Sequence, residues 1–140
     1  MWTATTTIAT TASPQALWRL FEDVAGWTAW NAGIEHAALD GPFAAGSTFE
    51  MKPPGMDALR STLRDVRPHE GLVDETVLED TRFLVSHELQ ALDCGGTRVV
   101  YAVRVEGPEA ATLGPLVTAD FPEVLAALKA LAERATAGAT

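Results

Sequence analysis

The chain has 140 residues, of which 47% are hydrophobic and 21% charged, values typical of one soluble globular domain. Nineteen acidic residues against ten basic ones give a formal net charge of −9, which argues against nucleic acids and anionic membrane surfaces as partners. The single cysteine, Cys94, excludes an internal disulfide framework. Because no signal peptide and no apolar run of about 20 residues is visible, we expect a cytoplasmic protein with a single domain, 1–140, and no membrane insertion.

The first part of the chain predicts a strand followed by two short helical segments. Residues 2–11 are rich in β-branched side chains, which favour strands. Ser13 and Pro14 are typical of a helix start, with Ser13 as the N-cap and Pro14 in the first helical position. We predict that Gly26 ends this helix and that 27–30 form the second segment. The apolar residues at helical spacing are Ala16, Leu17, Leu20, Phe21 and Val24.

After residue 33 the apolar pattern changes to strand-like lengths. Six segments alternate or run apolar, and turns rich in glycine, proline and aspartate separate them. They lie near 34–40, 47–52, 57–67, 71–78, 82–92 and 97–106. Because the connections are short, we predict an antiparallel meander rather than parallel crossovers.

An apolar stripe predicts a long helix at the C-terminal end. Thr118 or Asp120 is expected to cap it, and Pro122 is compatible with it because this proline lies in the first turn. A helix across a curved antiparallel sheet buries one face of that sheet and often leaves a space that side chains do not fill. The stripe comprises Phe121, Val124, Leu125, Leu128, Leu131, Ala132 and Ala135.

The element order, β-α-α-β6-α, and a set of residues along it resemble a known superfamily. These residues are Ser13-Pro14, Leu17-Trp18, Asp23, Trp27, Trp30, Gly41, Gly46, His87-Glu88-Leu89, Gly96-Thr97 and Gly107-Pro108. They resemble the START/polyketide-cyclase (SRPBCC) superfamily over nearly the whole chain. The resemblance implies an α+β helix-grip fold, in which six to seven antiparallel strands wrap around a long C-terminal helix. It leaves the function open, since members include lipid carriers, hormone and metabolite binders, aromatase/cyclases and chaperone cofactors.

Strand alternation predicts which side chains point into such a grip. Charged residues on the last two strands favour solvent, which turns His87 and Tyr101 inward. A three-residue hairpin loop, 93–95, places His87 directly opposite Tyr101. This pair is the predicted polar spot of an apolar pocket, with His87 as candidate general acid or base and Tyr101 beside it. The alternative is a buried histidine satisfied by the tyrosine hydroxyl or by a water.

The position of one carboxylate stays open at this point. A tight turn near Asp80 places Asp74 and Thr76 on the same face as His87, whereas one residue of slip places Glu75 there instead. The apolar content of the strand favours the slipped register, and the turn length favours the other. Either carboxylate would orient His87; the alternative role for both is a solvated charge on the outer face.

Side chains on the inner face, most of them apolar, are the predicted ligand contacts. They are Trp30, Phe49, Met51, Leu59, Ser61, Leu63, Phe83, Val85, Leu89, Val99, Val103, Leu125 and Leu128. Each of them is also compatible with a packed core. The loop 53–56 is either a lip over the entrance or an ordinary hairpin loop. Since the histidines and Cys94 lack metal-ligand spacing and no phosphate-binding loop occurs, we expect no metal and no cofactor.

These observations support one main hypothesis and two alternatives. The main hypothesis is binding of a small hydrophobic molecule, lipid-like or polyketide-like, between the sheet and the C-terminal helix. The first alternative is a polyketide cyclase or dehydratase type of enzyme in which His87 moves a proton. The second alternative is an interaction module like the chaperone-cofactor members. The identity of the ligand and the oligomeric state stay open.

Overall fold

The computed structural model describes residues 1–137, so the last three positions of the predicted domain, 138–140, lie outside the described residues. It is an α+β helix-grip fold with a curved seven-stranded antiparallel sheet. The strands are β1 (Trp2–Thr10), β2 (His36–Asp40), β3 (Thr48–Lys52), β4 (Leu59–Arg67), β5 (Gly71–Leu78), β6 (Thr81–Ala91) and β7 (Thr97–Glu106). The helices are α1 (Pro14–Glu22), a 3₁₀ helix (Val24–Ala29), α2 (Ala110–Thr118) and α3 (Phe121–Ala137). The strand order β1-β7-β6-β5-β4-β3-β2 confirms the predicted meander.

The first helix begins where the sequence predicts and ends earlier. Ser13 caps it, because its hydroxyl accepts a hydrogen bond from the backbone N–H of Ala16 (3.2 Å). The prediction that Gly26 ends the helix is wrong, since α1 stops before it and Gly26 lies within the 3₁₀ helix. The side chain of Trp27 gives a physical reason. Its indole Nε1 donates to the carbonyl oxygen of Phe21 (2.8 Å), which a further α-helical turn would have used.

The C-terminal helical segment consists of two helices rather than the single one predicted. The sequence pattern does not predict α2, because Gly114 followed by Pro115 is typical of a helix breaker. In the structure Gly114 lies under the indole of Trp2, and a Cβ atom on this glycine would come within 2.2 Å of the ring. The missing side chain is therefore what allows α2 to pack directly on β1.

The two residues predicted to cap the C-terminal helix have different positions. Thr118 does not cap α3, since its hydroxyl donates to the carbonyl oxygen of Gly114 (3.2 Å) within α2. Asp120 directly precedes α3, and its main-chain carbonyl oxygen accepts from the N–H of Val124 (2.9 Å). The carboxylate of Asp120 lies against Gly33, on which a Cβ atom would come within 2.6 Å of it.

Among the described residues one stretch, Ala110–Ala135, is long and apolar enough to cross a membrane by length and composition. The core helix of a soluble protein passes the same test. Here the stretch is broken between α2 and α3, and α3 contacts β1 and α1. The buried side chains on α3 are Val124, Leu125, Leu128 and Ala132. These side chains attach α3 to the core of the fold.

Strand register brings His87 and Tyr101 together. The backbone N–H of Leu92 donates to the carbonyl oxygen of Gly96 (2.9 Å) and closes the base of the β6–β7 hairpin. This bond leaves the three-residue loop 93–95 that the sequence predicts. In the resulting register His87 lies directly opposite Tyr101, which confirms that pairing.

Glu75 lies on the outer face of the sheet, but it is not the solvated charge considered above. Its side chain is only 8% exposed, and it forms ion pairs with Arg82 and with Arg64 (2.6 Å). These two guanidinium groups, Arg82 more than Arg64, hold the pKa of Glu75 below its ordinary value, while burial opposes them. Glu75 therefore joins β4, β5 and β6 from outside.

We expect Glu75→Gln to lower the free energy of unfolding at neutral pH and to make this free energy less dependent on pH in the acidic range. A carboxyl whose pKa is lower in the folded state stabilises the fold above its unfolded pKa, and this stabilisation disappears as the pH falls through the folded pKa. The free energies of unfolding of wild type and variant should differ most at neutral pH, and this difference should shrink as the pH falls below about 4.5. Urea unfolding between pH 7 and pH 3 measures it. Glu50→Gln, at a half-exposed position on the same face, is the control. A difference that does not change with pH would contradict this role of Glu75.

Candidate functional site

A cavity of about 180 Å³ lies between the inner face of the sheet, the α1–3₁₀ segment and the joint of α2 with α3. Most of its wall is apolar. The aromatic side chains in the wall are Phe21, Trp27, Trp30, Phe49, Tyr101 and Phe121. The aliphatic ones are Ile34, Met51, Leu72, Val85 and Val117. The polar ones are Asn31, Asp74, His87 and Asp120, and Gly33 completes the wall. An apolar wall with few polar groups is the usual construction of a small-molecule site.

The β5–β6 register settles which carboxylate faces His87. Leu78 pairs with Thr81, so the turn has two residues, and this register places Asp74 on the inner face. The Asp74 carboxylate then reaches the imidazole: Oδ2 lies 2.8 Å from Nε2 of His87. Both side chains are largely buried, at 13% and 14% exposure. Asp74 therefore fixes the orientation of the His87 ring, the role that the sequence left open between Asp74 and Glu75.

Two polar atoms in this part of the cavity have no protein partner. Among the described residues, the buried side-chain atoms without a hydrogen bond are Nδ1 of His87 and the hydroxyl of Tyr101. The two rings stand edge to face with centroids 4.4 Å apart. Burial, and to a lesser extent the charge of Asp74, raises the pKa of Tyr101 far above its ordinary value. The tyrosine therefore stays a neutral hydroxyl that is able to donate a hydrogen bond.

Aromatic rings surround the polar pair and hold it in place. Phe21 on α1 lies 5.9 Å from His87 and 6.5 Å from Tyr101, measured between ring centroids. Phe121, at the start of α3, stands edge to face with Tyr101 at 5.5 Å. The side chains of α1 and α3 thus close the cavity over the sheet, and the polar pair lies in a desolvated setting.

The structure brings six of the predicted site residues to the cavity wall and distributes the others through the fold. The six are Trp30, Phe49, Met51, Val85, His87 and Tyr101. Ser61 is buried and shares a hydrogen bond with Thr76 (2.5 Å). Fully packed core positions are Leu63, Leu89, Val99, Leu125 and Leu128. A second cluster beside α2 contains Phe83 and Val103, and Leu59 is half-buried at the start of β4. The loop 53–56 contributes no side chain to the wall, and Met56 is 56% exposed.

Sequence reasoning missed the parts of the wall that do not come from strands. Phe21, Trp27 and Ile34 are apolar residues of the α1–β2 region, and their pattern indicates core without indicating a cavity. Val117 lies on α2 and Asp120 lies between α2 and α3, and the sequence pattern does not predict α2. Leu72 could have been predicted, because it lies two residues before Asp74 on the same strand and therefore points to the same face.

Cys94 is exposed in the hairpin loop. Within residues 1–137 no group of three or more His, Cys, Asp or Glu side chains is arranged to hold a metal ion. The chemistry that the described site offers is therefore that of the Asp74–His87 pair, the Tyr101 hydroxyl and the apolar wall.

Comparison with known families agrees with this geometry. The family described as "Polyketide cyclase / dehydrase and lipid transport" matches residues 1–133. The chain belongs to this family. Membership in the polyketide cyclase and lipid transport family confirms the resemblance to the SRPBCC superfamily, and it supports binding of hydrophobic ligands or cyclase-like chemistry as the general function.

Solved structures show the same fold at low sequence identity. Protein MLL2253 from Mesorhizobium loti has a TM-score of 0.80 and 19% identity, covering 95% of this chain and 98% of that one. Norcoclaurine synthase from Thalictrum flavum, solved with a transition-state analogue, has a TM-score of 0.76, 9% identity and 96% coverage of both chains. Ara h 8.0201 has a TM-score of 0.75 and 12% identity, covering 95% and 98%. No curated protein matches the sequence significantly. At these identities the likeness is one of fold alone.

Proposed function

We propose that this member of the polyketide cyclase and lipid transport family binds a small hydrophobic molecule with at least one polar group in the cavity between the sheet, the α1–3₁₀ segment and the joint of α2 with α3. The observation that carries the proposal is the pair of unpartnered atoms, Nδ1 of His87 and the Tyr101 hydroxyl, in an otherwise apolar wall. A buried polar group without a partner costs about 1–3 kcal/mol, and a ligand that bonds to it recovers this cost. Desolvation of the aromatic wall adds to the affinity.

The cavity volume limits the size of the part of the ligand that is enclosed. An apolar cavity of about 150 Å³ holds benzene, so a cavity of about 180 Å³ holds one aromatic ring with a short substituent. In the proposed complex the ring packs against Trp30, Phe49 and Met51, and the polar substituent forms hydrogen bonds with His87 and Tyr101. Of the lipid-like and polyketide-like molecules considered above, the size favours a single-ring compound over a two-chain lipid.

The test is a pair of substitutions on adjacent residues of β6. Val85→Phe places a ring inside the cavity, whereas Leu84→Phe adds a ring on the outer face of the same strand. With 3-phenylpropan-1-ol as the probe in isothermal titration calorimetry, we expect Val85→Phe to weaken binding by at least about tenfold and Leu84→Phe by less than about twofold. Unfolding curves of both variants control for loss of fold. Equal affinities of the two variants, or no binding by the wild type, would contradict the proposal.

A second candidate function is proton transfer of the cyclase or dehydratase type, which the Asp74–His87 hydrogen bond favours. This function requires a neutral His87 whose Nε2–H donates to Asp74 across the 2.8 Å contact, which leaves the Nδ1 lone pair as a base. The Tyr101 hydroxyl is a donor for an oxyanion that forms on a ligand carbonyl. A carbonyl ligand that binds between these two atoms can lose an α-proton to His87 while its oxygen is stabilised by Tyr101.

A further inference from the structure

Two carboxylates lie in the cavity wall, one of them hydrogen-bonded to His87. Asp74 lies on β5 at the sheet, and Asp120 lies at the joint of α2 with α3, beside Gly33. No lysine or arginine is among the described residues that line the cavity. A carboxylate or phosphate that enters this cavity therefore loses its hydration without meeting a cationic side chain.

Three arginines of the central strands point to the outer face of the sheet, away from the cavity. Arg64 and Arg82 form ion pairs with Glu75, and Arg104 forms an ion pair with Glu106 (3.0 Å). These pairs hold the guanidinium groups outside, because successive side chains of a strand point to opposite faces. An anionic ligand cannot recruit them without breaking those pairs.

The two unpartnered atoms suit a ligand group that donates hydrogen bonds better than an anionic group that only accepts them. When the Nε2–H of neutral His87 donates to Asp74, Nδ1 is an acceptor, and the hydroxyl oxygen of Tyr101 accepts as well. An ammonium group has three N–H donors and no acceptor, so it is suited to either atom. A carboxylate has only acceptors and finds a single donor, the Tyr101 O–H. The tyrosine is 3% exposed and lines the cavity, so this unpartnered hydroxyl is an observation independent of the two carboxylates.

The aromatic wall adds a second attraction for a cation. Phe21 and Phe121 lie beside Tyr101, with ring centroids 6.5 Å and 5.5 Å from that of the tyrosine. A cation within about 6 Å of a ring centroid is attracted by the negative face of the ring. The carboxylate of Asp74, which also lines the cavity, attracts the same charge.

We propose that the cavity selects a protonated amine on a compact apolar body over a neutral or carboxylate ligand of the same shape. The inference rests on the proposed function, since it names the ligand class of the same cavity. It includes a neutral His87 whose Nε2–H donates to Asp74, so that both unpartnered atoms are acceptors, and it is supported by the two carboxylates and by the absence of lysine and arginine in the described wall.

The test compares three probes that share one ring and one chain length: 3-phenylpropylamine, 3-phenylpropan-1-ol and 3-phenylpropanoate. In calorimetry at neutral pH and low salt, we expect the amine to bind at least about tenfold more tightly than the alcohol, and the alcohol more tightly than the carboxylate. The alcohol separates two kinds of failure. If it binds while the amine binds no better, the charge preference is overturned and the proposed function stands; if none of the three binds, both are overturned.

Two substitutions locate the preference in the cavity. Asp74→Asn and Asp120→Asn each remove one negative charge from the wall, and each should lower the amine-to-alcohol affinity ratio by about threefold to tenfold. Asp57→Asn, at an exposed loop position, makes the same change in net charge and should leave the ratio unchanged. The ratio is informative even for a less stable variant, because both probes bind to the folded fraction. Equal ratios in the wild type and in both cavity variants would overturn the inference.

Discussion

Leu128→Ala is expected to lower the free energy of unfolding by about 2–5 kcal/mol, the largest stability effect that the fold predicts for a single side chain on α3. Leu128 has no exposed surface and belongs to the main hydrophobic cluster, in which α3 packs against α1 and the sheet. Truncation removes buried methyl groups and leaves a void, because α3 is held by its other buried residues and cannot move inward freely. Urea unfolding followed by tryptophan fluorescence measures the effect.

Leu116→Ala is the matched control for this substitution. Leu116 lies on α2 and is 69% exposed, so the same chemical change there should alter stability by no more than about 0.5 kcal/mol. Similar losses for the two variants would contradict the assignment of α3 as the helix that the sheet grips.

His87→Ala is expected to abolish proton transfer while weakening ligand binding much less, if the second candidate function operates. The reaction to follow is deuterium uptake at the α-carbon of acetophenone in D₂O. Nδ1 of His87 removes the α-proton, the enolate oxygen accepts a hydrogen bond from Tyr101, and a deuteron returns to the carbon. Loss of a positioned general base lowers such rates by about 10²–10⁴-fold. Calorimetry with 3-phenylpropan-1-ol should show an affinity loss of no more than about tenfold, because the Tyr101 hydroxyl and the apolar wall still bind the alcohol.

Two further variants separate this role from a general loss of structure. Asp74→Asn should lower the exchange rate less than His87→Ala, since the ring loses its orienting carboxylate and keeps its nitrogen atoms. His36→Ala, at an exposed position of β2, should leave the rate unchanged. Exchange by the wild type no faster than by His87→Ala would rule out the catalytic role and leave the binding function.

The strands and the polar pair could be predicted because local pattern determines them. Period-two alternation and turn residues place the six later strands, and the odd-length loop 93–95 sets His87 opposite Tyr101. The end of α1 could not be predicted, because it depends on the contact of Trp27 with the Phe21 carbonyl, which forms only in the folded chain. The same holds for α2, where Gly114 acts through its contact with Trp2.

The cavity wall was harder to predict than the fold. Strand faces alone indicate which side chains point inward, but they do not distinguish a cavity wall from a packed layer, as Leu63 and Val99 illustrate. That distinction depends on how far the helices stand from the sheet. Asp74 illustrates a second limit, since a shift of one residue in the β5–β6 turn would have exchanged it for Glu75.

The central claim, that a ligand occupies this particular cavity, is tested most directly by the four tryptophan indole signals. Trp27 and Trp30 line the cavity, whereas Trp2 packs against Gly114 of α2 and Trp18 packs against Phe43. In ¹H–¹⁵N spectra recorded during titration with 3-phenylpropan-1-ol, the signals of Trp27 and Trp30 should shift together with one dissociation constant. Those of Trp2 and Trp18 should stay in place. Unchanged Trp27 and Trp30 signals at saturating probe, or shifts confined to Trp2 and Trp18, would contradict the account.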